Sequence, residues 1–391
     1  MDERIHAQIV AGEITALTLD TSIFDRAGLA MEAGLLAQLS QFRDSDIRLV
    51  IASTVANEVR RHLAENAEKA TGALQNALRD TGRHQALPAA VQQQVAEAVD
   101  AASMETRNRA CQRFDDWVAR VGATVLNEAQ FASIAEVMRR YEAAEPPFGA
   151  SGNKKHEFPD AVALSTLEGW ATTNGTKILA VTQDNDWRRY GAQSRRLVVV
   201  DDLADALAGL QRLAEANEVA DRFAVSLEDG DPLELGKELL ASLQRHDGSI
   251  EFNVEADSQF SFAEEGVDVA FERIELGDPR DARANFETVS YGDGEAVIKV
   301  VASVTTAIDV HFSFERWDSV DREYMSMGSA TISRTEEIEF EALVTVAIDV
   351  PPGEMTIESV EILPTVHRLN FGEIEPDWMS DPDNYDSREE D

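Results

Sequence analysis

The feature that most constrains the fold is a change of hydrophobic rhythm midway along the chain. In the first half, short apolar runs at residues 14–19 (ITALTL), 47–52 (IRLVIA), 177–182 (KILAVT) and 196–200 (RLVVV), with a weaker one at 123–126, alternate with helical patterns. Each run is bounded by polar residues and has no solvent face of its own. Strands covered on both sides read this way, so the pattern predicts an α/β domain with a parallel sheet and helices on its faces. Between the second run and Pro146 the sequence is poor in Gly and Pro and rich in Ala, Glu, Gln and Arg, which predicts two or three long helices forming an insertion or a cap. From Ser249 onward apolar and polar residues alternate (SIEFNVEA, VDVAFERIEL, EAVIKVVASV), the signature of an antiparallel sheet with one wet face. The expected division is therefore an α/β domain over 1–210 with a helical insertion at about 54–145, a helical linker over 211–248, a β domain over 249–372, and an acidic, extended or disordered tail over 373–391.

Charge follows the same division. Residues 1–210 carry 22 basic and 29 acidic side chains, whereas residues 211–391 carry 13 and 44. The overall charge of -38 therefore belongs mostly to the second half. That half would repel phosphates, so contact with nucleic acid is expected of the first half and a protein partner, or control of the first domain, of the second. A single cysteine, Cys111, excludes an internal disulfide and a thiolate zinc cluster. No stretch approaches the roughly 18 apolar residues of a membrane helix. The amino terminus is charged where a secretion signal would be apolar, which predicts a cytoplasmic protein. The Ala-rich helical stretches on either side of Pro88 offer surfaces for oligomerisation.

Acidic residues mark the ends of the predicted strands. Asp20 follows the first run directly, and Asp184 lies two residues past the third main run. In an open parallel sheet, ligands bind beyond the carboxyl ends of the strands. Glu58 falls on the first turns of the helix after the second strand, and Asp160 in the first turn of a helix opened by Pro159, where the helix dipole favours a negative charge. Singly, each has an ordinary explanation: a turn cap for Asp20, a helix-start acid for Asp160, a surface partner of Arg61 or His62 for Glu58. Together they form a set whose mutual repulsion demands cations. Hard divalent ions such as Mg²⁺ or Mn²⁺ take oxygen ligands, and a pair of them can promote phosphodiester hydrolysis. No Gly-rich phosphate loop follows the first strand, which weighs against a nucleotide-binding domain.

The ordered set LTLDTSIF (17–24), VIASTVANEVRRH (50–62), KKHEFPDAVALSTLEGWA (154–171) and ILAVTQDNDW (178–187) resembles the PIN-domain nucleases, most nearly a bacterial branch with a long helical insertion and an extra C-terminal region. The resemblance implies a Rossmann-like sheet, dependence on Mg²⁺ or Mn²⁺, and cleavage of RNA or single-stranded nucleic acid, with a toxin or a bacterial defence effector as biological settings. It places Asp20, Glu58, Asp160 and Asp184 as catalytic metal ligands and implies Glu157 and Asp186 as supplementary acids of the same metal site. It also implies that the hydroxyls of Thr21 and Thr182 orient ligands or phosphate. Basic residues for substrate must come from the same rim, which selects Lys154, Lys155, Arg60 and Arg61. Trp187 either packs beneath the site or stacks on a base, and Arg107, Arg109 and Arg113 read as a salt-bridged surface. The competing reading is a catalytically silent PIN-like scaffold that binds a protein partner through its helices and acidic sheet.

Overall fold

The structure is a computed structural model. It describes residues 2–84, 86–103, 105–149, 157–211, 219–220, 222–225, 227, 233–245, 247–277, 285–292, 294–318, 323–348 and 355–380. The chain divides into two compact units, Met1–Arg212 and Leu213–Asp391.

In the first unit the predicted runs form a parallel sheet of five strands: β1 (Ile14–Leu19), β2 (Arg48–Ala52), β3 (Thr124–Leu126), β4 (Lys177–Val181) and β5 (Leu197–Val200), in the order β3-β2-β1-β4-β5. Central β1 is buried almost throughout and pairs Leu17 with Leu49 on one side and Leu179 on the other. Chain order reverses direction at β1: β2 and β3 extend the sheet one way, β4 and β5 the other. The cleft between the carboxyl ends of β1 and β4 is thus a topological switch point, where such sheets bind ligands.

The helices are α1 (Glu3–Val10), α2 (Thr21–Arg26), α3 (Gly34–Gln38), α4 (Ser53–Arg83), α5 (Ala89–Ser103), α6 (Thr106–Val121), α7 (Glu128–Phe131), α8 (Ile134–Ala143), α9 (Phe158–Asn174), α10 (Asn185–Gly191) and α11 (Leu203–Leu210). The stretch expected as an insertion is not one body. The opening of α4 is part of the domain core, burying Val55, Ala56, Val59, Leu63 and Ala64, and β3 adds an edge to the sheet. Helix α6 returns to the core with Thr106, Ala110, Phe114, Trp117 and Val121 buried at spacings of three and four, the stripe of a one-faced helix. Trp117 meets Phe24 at 5.2 Å and donates its indole N–H to the Leu36 carbonyl at 3.0 Å. Only the far part of α4 with α5 projects: α5 buries no residue and leaves Val91 and Val95 exposed. Helix α9 begins with Pro159 in its first turn and ends at Gly175, whose φ of 67° is the left-handed cap that glycine adopts most easily.

The second unit is built on a hairpin of two long strands. Strands β9 (Glu295–Asp318) and β10 (Glu323–Ala347) pair antiparallel, flanked by β7 (Ser261–Leu276) and β8 (Phe286–Gly292) on β9 and by β11 (Thr356–Ile362) on β10. Alternate β9 residues, among them Val304, Ile308, Val310, Phe312 and Phe314, are buried, as the two-residue side-chain period requires. Two expectations are corrected here. Strand β6 (Ile250–Asp257) pairs with β12 (Thr365–Glu373) in parallel, so the β region is not purely antiparallel. Helix α12 (Leu235–Arg245), expected within a linker, supplies Leu235, Leu239 and Leu243 to the core of this unit. The first residues of the expected tail are ordered too: Ile374 is buried, its N–H donates to the Asp257 carbonyl at 2.8 Å, and α13 (Asp377–Ser380) follows. Residues 381–391 lie outside the described set.

Candidate active site

Asp20 is the fixed point of the site. It leaves β1 as the N-cap of α2, its own N–H bound to the Val181 carbonyl of β4 at 3.0 Å. Its Oδ1 accepts the Thr21 N–H at 2.7 Å, and its Oδ2 accepts the hydroxyls of Ser22 at 2.6 Å and Thr182 at 2.9 Å. Only 5% of Asp20 is exposed. Burial pushes its carboxyl above the ordinary range, the hydrogen bonds from Ser22, Thr182 and Thr21 pull it back, and the charge of Asp184 raises it again.

The other acids reach the same place by different routes. Glu58 stands on α4, where its Oε2 accepts the Thr21 hydroxyl at 2.9 Å and its Oε1 accepts the Arg61 guanidinium at 3.0 Å. Asp160, in the first turn of α9, accepts the indole N–H of fully buried Trp187 at 3.0 Å. Asp184 caps α10: it accepts the Asp186 N–H at 2.5 Å while its own N–H donates to the Thr182 hydroxyl at 2.9 Å. Asp160 is pushed up to about 7, first by burial and then by the charges of Asp20, Asp184 and Glu58, against the pull of Trp187. The structure therefore gathers the four acids that the sequence singled out as the principal set.

It treats the remaining candidates differently. Thr21 and Thr182 bind the acids rather than open solvent, Thr21 bridging Asp20 to Glu58 and Thr182 bridging Asp20 to Asp184. Glu157 accepts the Gly149 N–H at 3.1 Å, and Asp186 pairs with Arg189 at 2.5 Å; neither is among the charges that act most on Asp160. Arg60 is engaged in helix packing, bound to Asp115 at 2.6 Å and lying 4.9 Å above the Phe114 ring. Arg61 is engaged by both Glu58 and Glu65. Lys154 and Lys155 lie outside the described residues. Of Trp187's two sequence readings, the buried one holds, with a hydrogen bond to Asp160 added. Arg107 and Arg113 pair with Glu68 and Glu32, as a salt-bridged surface should.

Ser22 was not singled out from sequence. Its hydroxyl donates to Asp20 and accepts the Gln183 N–H at 3.0 Å, tying the ends of β1 and β4 together. The available signal was its place two residues after an N-cap aspartate, where a small hydroxyl can bond back to the cap. A separate cleft of about 950 Å³ runs along β5, lined by Lys177, Arg188 and Arg195 together with Asp2, Asp201 and Asp205, and none of the four acids lines it.

All the ligating atoms on offer are hard oxygens, which suit Mg²⁺ or Mn²⁺ and not thiophilic metals. Among the described residues no three acidic, His or Cys side chains close into a ready-made cage. Mg²⁺ needs none, since it is commonly held by one or two carboxylates with its other positions filled by water. The donor set, four carboxylates held through hydrogen bonds with Thr21, Ser22, Thr182 and Trp187, fits a divalent cation.

A central parallel sheet with helices on its faces and a topological switch point at β1 and β4 defines the first unit as a Rossmann-like α/β domain. Residues 17–187 match the family model described as PIN domain, and this first unit is a PIN domain. Searches of curated proteins and of solved structures return no match. No described helix is long and apolar enough to cross a membrane.

Proposed function

We infer that the first unit is a divalent-metal-dependent endonuclease acting on RNA or single-stranded nucleic acid. The arrangement that supports this most is geometric: Thr182 links Asp20 to Asp184, the Thr21 hydroxyl binds Glu58 beside Asp20, and Trp187 holds Asp160, whose carboxyl is raised by burial and by the charges of the other three. A fold that needed these groups only for structure would gain by neutralising one of them. Bound Mg²⁺ or Mn²⁺ would lower the pKa of an attacking water and stabilise the departing oxygen. The chain's part is to hold its oxygens in place: Thr21, Ser22 and Thr182 fix Asp20, Trp187 holds Asp160, and Thr182 anchors the Asp184 backbone. Cleavage of cellular RNA in the cytoplasm would suit a toxin or a defence effector.

The deciding experiment incubates the full chain with single-stranded RNA, single-stranded DNA and a flap duplex, each with Mg²⁺, Mn²⁺ or chelator. Metal-stimulated cleavage by the parent and none by Asp20→Asn or Asp160→Asn is expected; equal cleavage by all three proteins would overturn the assignment. The silent-scaffold reading draws on the absence of a closed three-ligand cage among the described residues. Calorimetry separates the two, since a silent scaffold shows no saturable Mn²⁺ binding that depends on Asp20.

A further inference from the structure

Strands β9 and β10 continue beyond the last pairing of β7, where Ser261 stands opposite Glu315, and at this end Trp317 faces Tyr324 across the hairpin. The two rings touch edge to face at 5.0 Å. Trp317 is 51% exposed, Tyr324 58% and the adjacent Met325 45%. Two large aromatic side chains are thus kept in water on one face of the ribbon, where polar residues would serve equally well, while Met325 stands opposite Arg316 on the other face. The rings hold each other in place, so a partner meets a preformed surface and little side-chain freedom is lost on contact.

The surroundings select the partner. Glu315 flanks the ring pair, and Glu265 lies close by, accepting the Ser313 hydroxyl at 2.6 Å. Farther along the same face Asp268 stands directly opposite Asp309, a like-charge pair that costs stability, with His311 bound to Asp268 at 2.9 Å. Arg316 points to the other face of the strand by the pleat. With 13 basic and 44 acidic side chains over residues 211–391, this unit repels nucleic acid, anionic lipid and a second copy of itself. A cationic segment is attracted, and its guanidinium or ammonium groups can lie on the Trp and Tyr faces while carboxylates accept their N–H groups.

The geometry points to a docking surface: the ring pair Trp317–Tyr324 receives a Lys/Arg-rich segment of a partner protein. This does not depend on the nuclease assignment, and activity is not its readout. Fluorescence anisotropy on the full chain would compare a labelled Arg-rich peptide with an uncharged apolar peptide of equal length and with phosphatidylserine vesicles. The Arg-rich peptide is expected to bind saturably. Trp317→Ala with Tyr324→Ala should weaken it roughly tenfold although no charge is altered, and Trp317→Phe with Tyr324→Phe should stay within about threefold of the parent. Should the alanine pair fail to fold by circular dichroism, Trp317→Gln alone supports the same comparison. Peptide binding unchanged by loss of the rings would overturn the proposal, as would equal or tighter binding of the apolar peptide or the vesicles.

Discussion

Thr182 ties Asp20 to Asp184. Its hydroxyl donates to Asp20 Oδ2 at 2.9 Å and accepts the Asp184 N–H at the same distance, so one side chain with no exposure sets two acids on adjacent strand ends. Serine or threonine can do this; valine, with the same shape, cannot. Thr182→Val should cost about 1–3 kcal/mol of stability through the unmet partners. It should also lower activity or Mn²⁺ affinity about 10–100-fold, as loss of a ligand-orienting hydrogen bond does. Urea denaturation and calorimetry measure the two effects, and Thr182→Ser should restore most of each. A valine variant indistinguishable from the parent would show that the bridge does not hold the site.

The elevation of Asp160 to about 7 makes the cation-free fold sensitive to pH. Between its ordinary value near 3.8 and about 7, the folded chain keeps a proton that the unfolded chain has released. This group's contribution therefore favours the fold at acid pH, weakens it as pH climbs through that window, and levels off above it. Asp160→Asn should remove the slope and stabilise the cation-free protein at pH 8 by on the order of 1–2 kcal/mol, after allowance for solvent screening. Chelator-treated protein unfolded in urea from pH 5 to 8 gives the comparison. Parallel parent and variant profiles would contradict it.

Arg61 occupies an oxygen of Glu58 that a cation bound there would need. The guanidinium occupies Glu58 Oε1 at 3.0 Å and is held from the other side by Glu65 at 3.0 Å. Arg61→Gln should raise Mn²⁺ affinity by roughly threefold, in line with the modest strength of an exposed ion pair. Titration calorimetry at low salt reads the change. Weaker Mn²⁺ binding in the variant would mean instead that Arg61 positions Glu58 for the metal.

Helix α12 is core and not connection. Leu239, fully buried with Leu235 and Leu243 in the second unit, should cost about 2–5 kcal/mol when cut to alanine. Equilibrium denaturation with a probe in the second unit tests this. A change below about 0.5 kcal/mol, the range of ordinary surface substitutions, would return the helix to the role of a linker.

Much of this molecule was legible in the sequence, because burial on both faces writes itself as short apolar runs and a half-wet sheet writes itself as alternation. Residues 14–19 and 177–182 correspond to β1 and β4, with Asp20 and Asp184 just past their carboxyl ends. What a linear pattern cannot carry is which surface a helix meets. Leu235, Leu239 and Leu243 look the same in a linker helix as in a core one, and only packing against β7 and β11 distinguishes them. Arg60 and Arg61 are neighbours in sequence, yet the turn of α4 sends one to Asp115 and the other to Glu58. Residue type and periodicity thus determined the class of fold and put acids at the strand ends and helix starts. Tertiary structure decided that Ser22, Thr182 and Trp187 hold them, because hydrogen bonds between strand ends and helix starts depend on distances that no local spacing fixes.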